Sequence, residues 1–505
     1  MRTFRQAITA LLAAVLTAGA FAQGDVLKVS LSSDPTSLYM PRAADRTAGN
    51  ASWPLYDSLV YLDADGELKP QLATDWTIGS DGLTYTFNLR EGVTFHNGEA
   101  FTADDVVATW EFGSDDSNDY PGYYTVASSV EAVDDYTVRI TTAEPNAIFL
   151  TTLSKNWAII PGDYMREVGI DAFAEAPIGT GPFKFVSRTP GERIVMEANE
   201  DYWDASLPYL DGVEFRIIPD PSTRVAAVQT GDVHIANRLT PELAESLDGQ
   251  DGVNVLTYLN DRVYYVAFKN VGAGVGTPLE DARVRQALNL GVDRFGINEA
   301  IFSGFANAAP GFVLEGNLGF DEAAMAPFPY DPQRAEELLA EAGYPDGFDI
   351  TMGCPADGYV NINEVCQAVA QSLSGIGVNV EVDYQTTNTY WSEPQYAVTG
   401  PMYVDSWSSE VGEALPRLQG ALIPGNYYTT WNDAKFESII NEIDQTVDRS
   451  ERAALYQDLH VMMREDPPFI YMYQPVIFEA VNSAVEGYQP LPAEEYNLRA
   501  VRLAD

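Results

Sequence analysis

The sequence has few of the residues that bind metals or activate nucleophiles. The 505-residue chain contains only three histidines and two cysteines. His96, His234 and His460 are far apart, and no H-x-x-x-H motif or Cys/His cluster gives the spacing of a zinc site. We therefore predict no catalytic residue, no metal site and no bound cofactor.

Basic residues are also scarce. Lysine and arginine together number 29 against 74 aspartates and glutamates, and the formal net charge is −45. A surface of this sign repels nucleic-acid phosphates and anionic lipid headgroups. We expect no nucleic-acid partner, and we expect the acidity to serve solubility, with a cationic ligand as the alternative explanation.

Long uncharged apolar runs are absent after residue 23. The one such run, Ala7–Phe21, follows Arg2 and Arg5 and is shorter than the ~20 residues that span a bilayer. Ala20-Phe21-Ala22 has the small-x-small pattern of a signal-peptidase site. We expect residues 1–22 to be a cleaved signal peptide, with a retained anchor as the alternative, and the absence of cysteine there argues against a lipoprotein.

The two cysteines, Cys354 and Cys366, are predicted to form a disulfide. An exported chain meets an oxidising compartment, where paired cysteines form structural disulfides. The spacing is not that of a redox-active C-x-x-C motif.

Strand and helix patterns alternate along the whole chain, which indicates an α/β protein. Apolar–polar alternation predicts strands at Val26–Leu31, Glu67–Trp76, Thr84–Leu89, Ser129–Ile140 and Val378–Tyr384. Helix starts are predicted after the capping box at Thr102 and Asp105, after Asp281 and at Asp331-Pro332. No repeat or low-complexity linker separates domains. We therefore expect interleaved domains, with chain crossings at Val263–Lys269 and Ile470–Ile477.

Several motifs occur in an order that is typical of one family. They are Leu68–Trp76, Asp81–Phe87, Leu89–Gly98, Thr102–Val106, Pro177–Phe183, Asn199–Trp203, Arg283–Leu288 and Ala340–Pro345. Their order and spacing resemble those of the family 5 extracellular solute-binding proteins, the receptors of peptide-, dipeptide- and nickel-type ABC importers. The resemblance covers nearly the whole mature chain.

This resemblance implies a fold and a division of the chain. The fold would be a two-lobed α/β, periplasmic-binding-protein-like architecture (type II, cluster C) with an extra inserted domain and a hinge between the lobes. Lobe I would comprise residues 23–54, 177–265 and 477–505, the insertion residues 55–176, and lobe II residues 266–476.

The resemblance also implies a function. The protein would be a monomeric, periplasmic or extracellular receptor that captures a small organic solute of the oligopeptide type and delivers it to ABC permease subunits. An oligosaccharide receptor is the alternative within the family, and a secreted hydrolase is a weaker one. We do not expect an enzyme.

The ligand would lie between aromatic walls with a few polar groups. Trp407 stands in a segment that resembles the family's ligand-side Trp segment, and the carboxylate that would hold a peptide amine corresponds to Glu410, with Glu413 nearby. The arginine that dipeptide-type members place before a tyrosine is missing at Gly358-Tyr359. The predicted ligand-binding residues are Trp407, Glu410, Ser408, Tyr39, Tyr264, Trp391 and Tyr428.

Overall fold

The computed structural model describes residues 24–504 except 44–45, 64–65, 248, 357–358, 393, 395–399 and 410–411. The predicted signal peptide and Glu410 therefore lie outside the described residues.

Strands and helices alternate through the described chain, as the sequence patterns predict. The strands are β1 Val26–Leu31, β2 Val60–Leu62, β3 Leu68–Pro70, β4 Ala73–Ile78, β5 Thr84–Leu89, β6 Ala127–Asp134, β7 Thr137–Thr142, β8 Phe183–Thr189, β9 Arg193–Ala198, β10 Gly212–Ile217, β11 Ile235–Ala236, β12 Val253–Leu259, β13 Arg262–Phe268, β14 Ala306–Ala308, β15 Phe348–Pro355, β16 Val378–Gln385, β17 Met402–Ser408, β18 Phe469–Asn482, β19 Val485–Glu486 and β20 Arg502–Leu503.

The helices are α1 Arg46–Ser52, α2 Ala103–Gly113, α3 Gly122–Thr125, α4 Phe149–Asn156, α5 Gly162–Val168, α6 Ile170–Glu175, α7 Pro221–Thr230, α8 Pro241–Leu247, α9 Ala282–Gly291, α10 Arg294–Phe302, α11 Pro332–Glu341, α12 Ile362–Ser374, α13 Thr387–Tyr390, α14 Leu415–Leu422, α15 Ala434–Gln445 and α16 Arg449–Glu465.

Strand β18 joins the two halves of the molecule. It belongs to a twelve-stranded sheet whose order runs β16-β15-β17-β13-β18-β11-β1-β10-β9-β8, with β12 and β14 also paired to β18. Its first half, from Phe469 to Tyr473, pairs with β13, whereas its second half, from Val476 to Asn482, pairs with β12. The same continuous strand is therefore hydrogen-bonded in both lobes, at the place where the sequence predicts a crossing.

Separate hydrophobic cores form on the two sides of this strand. One core gathers β1, β9 and β10 with the C-terminal residues Tyr496 and Leu498. The largest core gathers β13, β15 and β17 with helices α9, α11, α12 and α16. Each core is formed by a different part of the sheet and the residues packed against it, and the two cores define two lobes.

A third core fills a segment inserted into the first lobe. Its buried residues run from Leu59 to Ile159 and cover one face of the four-stranded sheet β4-β5-β7-β6. The predicted boundaries between the lobes and the insertion stay a prediction.

Local capping signals place several helices where the sequence predicts them. Thr102 and Asp105 form the capping box of α2, and the side chains of Asp281 and Asp331 accept backbone N–H groups at the starts of α9 and α11. These side chains satisfy amides that have no partner within the helix.

Two predicted strands are wrong because each is a pair of strands. Glu67–Trp76 divides into β3 and β4, since Pro70, which has no N–H to donate to a ladder, ends β3. Ser129–Ile140 divides into the hairpin of β6 and β7, where the Asp134 carboxylate accepts the backbone N–H of Tyr136 at 3.0 Å.

A disulfide joins Cys354, at the end of β15, to Cys366 in α12. The enclosed loop carries Tyr359 and Val360, which reach the cavity described below. Among the residues that the structure describes, no helix has the length and apolar character needed to cross a membrane.

Glu479, on β18, makes the stability of the folded state depend on pH. Its carboxylate is buried and accepts the hydroxyl groups of Tyr488 at 2.8 Å and Tyr258 at 3.2 Å. Burial raises the pKa of Glu479 from 4.5 to about 7, and the nearby charge of Glu494 acts in the same direction. The folded state therefore keeps a proton that the unfolded state releases.

We expect the free energy of unfolding to fall as the pH rises from about 4.5 to 7, because the unfolded chain binds fewer protons in that window. The Glu479 contribution amounts to at most about 3 kcal/mol. The neutral variant Glu479→Gln should lack this contribution, so its stability relative to the wild type should rise between these pH values. Urea unfolding at several pH values measures the difference, and a difference independent of pH would contradict the assignment.

Candidate ligand-binding site

A cavity of about 410 Å³ lies between the lobes, along the crossing strand. This volume is within the range of small-molecule binding sites. The first lobe and the C-terminal segment contribute Arg46, Arg238, Leu239, Thr240, Pro241 and Glu494, the second lobe contributes Phe302, Phe305, Ala306, Tyr359 and Val360, and the crossing strands contribute Asn260, Arg262, Tyr264, Tyr473, Pro475, Val476, Ile477 and Phe478.

Aromatic rings form one wall of the cavity. Tyr264 on β13 pairs with Tyr473 on β18, and their rings stack at 4.6 Å between centroids. Phe302 packs on Tyr473 at 4.7 Å, and Tyr359 meets the edge of Tyr264 at 5.8 Å. Two paired strands thus contribute adjacent tyrosine rings to the lining of the cavity.

Charged and polar groups also line the cavity. Glu494 accepts from Arg238 at 2.6 Å and from the Asn260 amide at 3.1 Å, and Arg46 bonds to Asp261 at 3.2 Å. These contacts tie the first lobe to the turn between β12 and β13. A ligand in the cavity would meet hydrogen-bonding groups that the fold already holds in place.

Arg262 connects the cavity to the neighbouring Trp segment. Its guanidinium lines the cavity and donates to the Ser406 hydroxyl at 2.9 Å and the Ser408 hydroxyl at 3.4 Å. Both serines lie on β17, on either side of Trp407.

The predicted residues Trp407, Tyr428 and Trp391 form an aromatic cluster beside the cavity. Tyr428 meets the edge of Trp407 at 5.0 Å and that of Trp391 at 5.7 Å. All three side chains are half-buried. The structure thus brings these three together, with Ser408 adjacent, although it is Tyr264 among the predicted residues that lines the cavity itself.

Two predicted acidic or aromatic groups lie elsewhere. Tyr39 is 1% exposed and packs its ring against Phe173 in the core of the first lobe, so the structure does not bring it to the cavity. Glu413 is buried in an ion pair with Arg452, at 2.7 and 2.8 Å, and also accepts the Tyr456 hydroxyl at 3.0 Å. Its carboxylate is fully engaged inside the second lobe.

Sequence reasoning missed the arginines of the cavity. Arg46, Arg238 and Arg262 come from three distant parts of the chain, and none of them belongs to a motif that predicts its position. Only Arg262 could have been found from the sequence. It lies directly before the predicted crossing at Val263–Lys269, and residues beside a crossing are close to both lobes.

A glycine holds Trp407 in place. A Cβ atom on Gly420 of α14 would lie 2.2 Å from Cη2 of Trp407, so the ring packs directly against the helix backbone. Gly122, in contrast, has nothing within 4 Å of such an atom.

We expect Gly420→Ala to displace the Trp407 ring and to lower the free energy of unfolding by about 1–3 kcal/mol, the usual cost of overpacking. The matched control Gly122→Ala should change it by no more than about 0.5 kcal/mol. Urea unfolding gives the stabilities, and near-ultraviolet circular dichroism reports the ring. Equal behaviour of the two variants would mean that Trp407 does not pack against α14.

Comparison with known proteins places the chain in a family. The family model of the bacterial extracellular solute-binding proteins, family 5 Middle, matches residues 67–429. A glutathione-binding protein GsiB of Pectobacterium atrosepticum is 30% identical over 95% of this chain and 94% of its own. A heme-binding protein A of Haemophilus influenzae is 31% identical over 88% of this chain and 86% of its own.

A solved structure shares the architecture. The periplasmic binding protein DppA of Helicobacter pylori, in complex with the peptide STSA, matches with a TM-score of 0.77 and 26% identity over 95% of this chain and 98% of its own. The resemblance and the two-lobed fold predicted from the sequence are thereby confirmed. The chain belongs to the family 5 bacterial extracellular solute-binding proteins and is a substrate-binding component of an ABC importer.

Proposed function

We propose that this protein captures an oligopeptide-type solute in the cavity between its lobes and delivers it to the permease subunits of its importer. The cavity itself carries the proposal, because groups from both lobes and from the crossing strands line it together. Its apolar walls with a few placed polar groups are typical of sites for small organic ligands.

Two similarities support a peptide-like ligand. The glutathione-binding relative covers nearly the whole chain, and the DppA structure was solved with a bound peptide. Backbone amides and short side chains need both hydrogen-bonding groups and apolar contacts. The cavity offers these through Asn260, Arg238 and Glu494 on one side and Tyr264 and Phe302 on the other.

Capture proceeds by closure of the lobes. A solute that contacts both lobes binds the closed arrangement more tightly than the open one and so shifts the population towards it. Trp407, Tyr428 and Trp391 cover one end of the solute, Ser408 offers a hydroxyl, and Glu410 holds a cationic end group. The permease then distinguishes closed, loaded receptor from open receptor.

The mature protein acts outside the cytoplasm as a monomer. Residues 1–22 direct export and are removed, no lipid is attached, and the chain catalyses no reaction and binds no nucleic acid. An oligosaccharide is the second candidate ligand, favoured by the aromatic cluster, because sugar rings stack on Trp and Tyr side chains.

A thermal-shift screen of the mature chain, Gln23–Asp505, tests the ligand class. The panel comprises tri-alanine, glutathione, an oligosaccharide, haem and a nickel–histidine complex. A peptide at about 100 times its Kd should stabilise the folded state by about 2.7 kcal/mol and raise the Tm. We expect tri-alanine or glutathione to give the largest shift.

Tyr264→Ala should reduce that shift, because it removes a ring of the cavity wall. Tyr330→Ala is the matched control, since Tyr330 is 44% exposed and lies outside the cavity. A shift produced by the oligosaccharide or by haem alone would reject the peptide proposal. A peptide shift that Tyr264→Ala leaves unchanged would reject the cavity as its site.

A further inference from the structure

The backbone is strained at two residues that line the cavity. Arg238 and Glu494 have φ angles of 49° and 62°, in the left-handed region that residues with long side chains rarely adopt. The other two non-glycine residues of the described chain with positive φ, Ser303 and Asn361, stand at helix ends. Strain of this kind persists where the surrounding structure fixes it, and it is concentrated at functional sites.

Buried side chains hold both strained segments in place. Arg224, which is 2% exposed, donates from Nη2 to the carbonyl group of Arg238 at 2.8 Å. The Asn50 side-chain amide donates to the carbonyl group of Ala493, directly before Glu494, at 3.1 Å. The fold therefore fixes the backbone of both residues before any solute binds.

The two strained residues form an ion pair with each other. Nε and Nη2 of Arg238 donate to the two carboxylate oxygens of Glu494 at 2.6 and 3.3 Å. Oε1 of Glu494 also accepts from the Asn260 amide at 3.1 Å and lies 3.8 Å from Nη1 of Arg46. Burial alone lowers the pKa of Arg238, but the Glu494 carboxylate raises it above its ordinary value. One carboxylate thus serves two of the arginines that line the cavity.

The charges of these groups are balanced. Arg46 is also paired with Asp261 at 3.2 Å, and the side chain of Asp261 is only 5% exposed. Arg46 and Arg238 are therefore matched by two carboxylates, and the N–H groups of Arg238 that donate to Glu494 are not available to a solute. Because Glu494 itself lines the cavity, an anionic group placed beside it would be repelled.

We propose that Glu494 is a specificity-determining residue of the cavity. Its carboxylate occupies Arg238 and Arg46, so the part of the solute beside them is an uncharged group, such as a peptide amide or a carboxamide, and an anionic group is rejected there. Like charges brought together on binding lower the affinity, and selectivity often comes from a group that disfavours the wrong ligand. This inference rests on the proposed function for its ligand and adds the chemical class of one part of that ligand.

Three pairs of tripeptides test this selectivity. Each pair carries glutamine or glutamate at the first, second or third position of an otherwise all-alanine tripeptide, so its members have nearly the same shape and differ by one charge. Calorimetry gives the Kd values for the mature wild type, Glu494→Gln and Glu494→Asp.

Glu479→Gln is the matched control. Glu479 is also buried, but its partners are the hydroxyl groups of Tyr258 and Tyr488, and it does not line the cavity. The measurements are made well above pH 7, where the Glu479 carboxyl is ionised, so that both Gln variants lose one negative charge.

We expect the wild type to bind the glutamine member of at least one pair about tenfold or more tightly than the glutamate member. Glu494→Gln should abolish this preference, whereas Glu494→Asp, which keeps the charge, and Glu479→Gln should retain it. If Glu494→Gln does not fold, Glu494→Gly replaces it, since glycine adopts a positive φ without strain.

A second measurement needs no peptide. Thermal melting is followed in sodium sulfate and in sodium chloride at equal ionic strength. Without its carboxylate partner Arg238 becomes available to an anion, so the Tm of Glu494→Gln should rise in sulfate by about 1–2 °C more than that of the wild type. Glu479→Gln and the double variant Arg238→Gln, Glu494→Gln should respond like the wild type.

Equal Kd values within every pair, or a preference that Glu494→Gln retains, would overturn the proposal. Equal sulfate responses of the wild type and Glu494→Gln would overturn it as well, because Glu494 would then not keep Arg238 from anions. A chain that binds none of the peptides but gains the sulfate response in Glu494→Gln would lose the proposed function and keep the role of Glu494.

Discussion

The hydrogen bonding of β18 to both lobes is the constraint on which the rest of the structure depends. Its 14 residues pair with β13 and β14 in one lobe and with β11 and β12 in the other. One continuous strand therefore belongs to the hydrogen-bonded ladders of both lobes. Tyr473 and Pro475–Phe478 also line the cavity, so the strand that the two lobes share is part of the candidate ligand site.

Charge within the cleft opposes the charge of the whole chain. The chain as a whole is strongly acidic, with a formal net charge of −45. At the junction of the lobes, however, Arg46, Arg238 and Arg262 line the cavity, and Asp261 and Glu494 are held in bonds to Arg46 and Arg238. The electrostatic interactions of these charged groups are stronger in the low-dielectric environment of a cleft than at the surface. Net charge, read from composition, is therefore a poor guide to the sign of the ligand.

Features that depend on neighbours in sequence could be predicted, and those that depend on distant pairing could not. The capping box of Thr102, the Asp331-Pro332 helix start and the extended run of β18 all follow from local signals. The bond of Arg262 to Ser406 spans 144 residues, and that of Arg46 to Asp261 spans 215. Periodicity holds no information on such partners. Residue type alone is also insufficient. Tyr39 is predicted to bind the ligand because it is aromatic, but its ring packs against Phe173 in the core.

The most direct test of this account is a crystal structure of the mature protein with the peptide that stabilises it most. We expect the peptide to lie in the cavity of about 410 Å³, in contact with Tyr264 and Tyr473 on the crossing strands and with groups of both lobes. A peptide bound to one lobe alone, or outside this cavity, would contradict the claim that closure about β18 captures the solute.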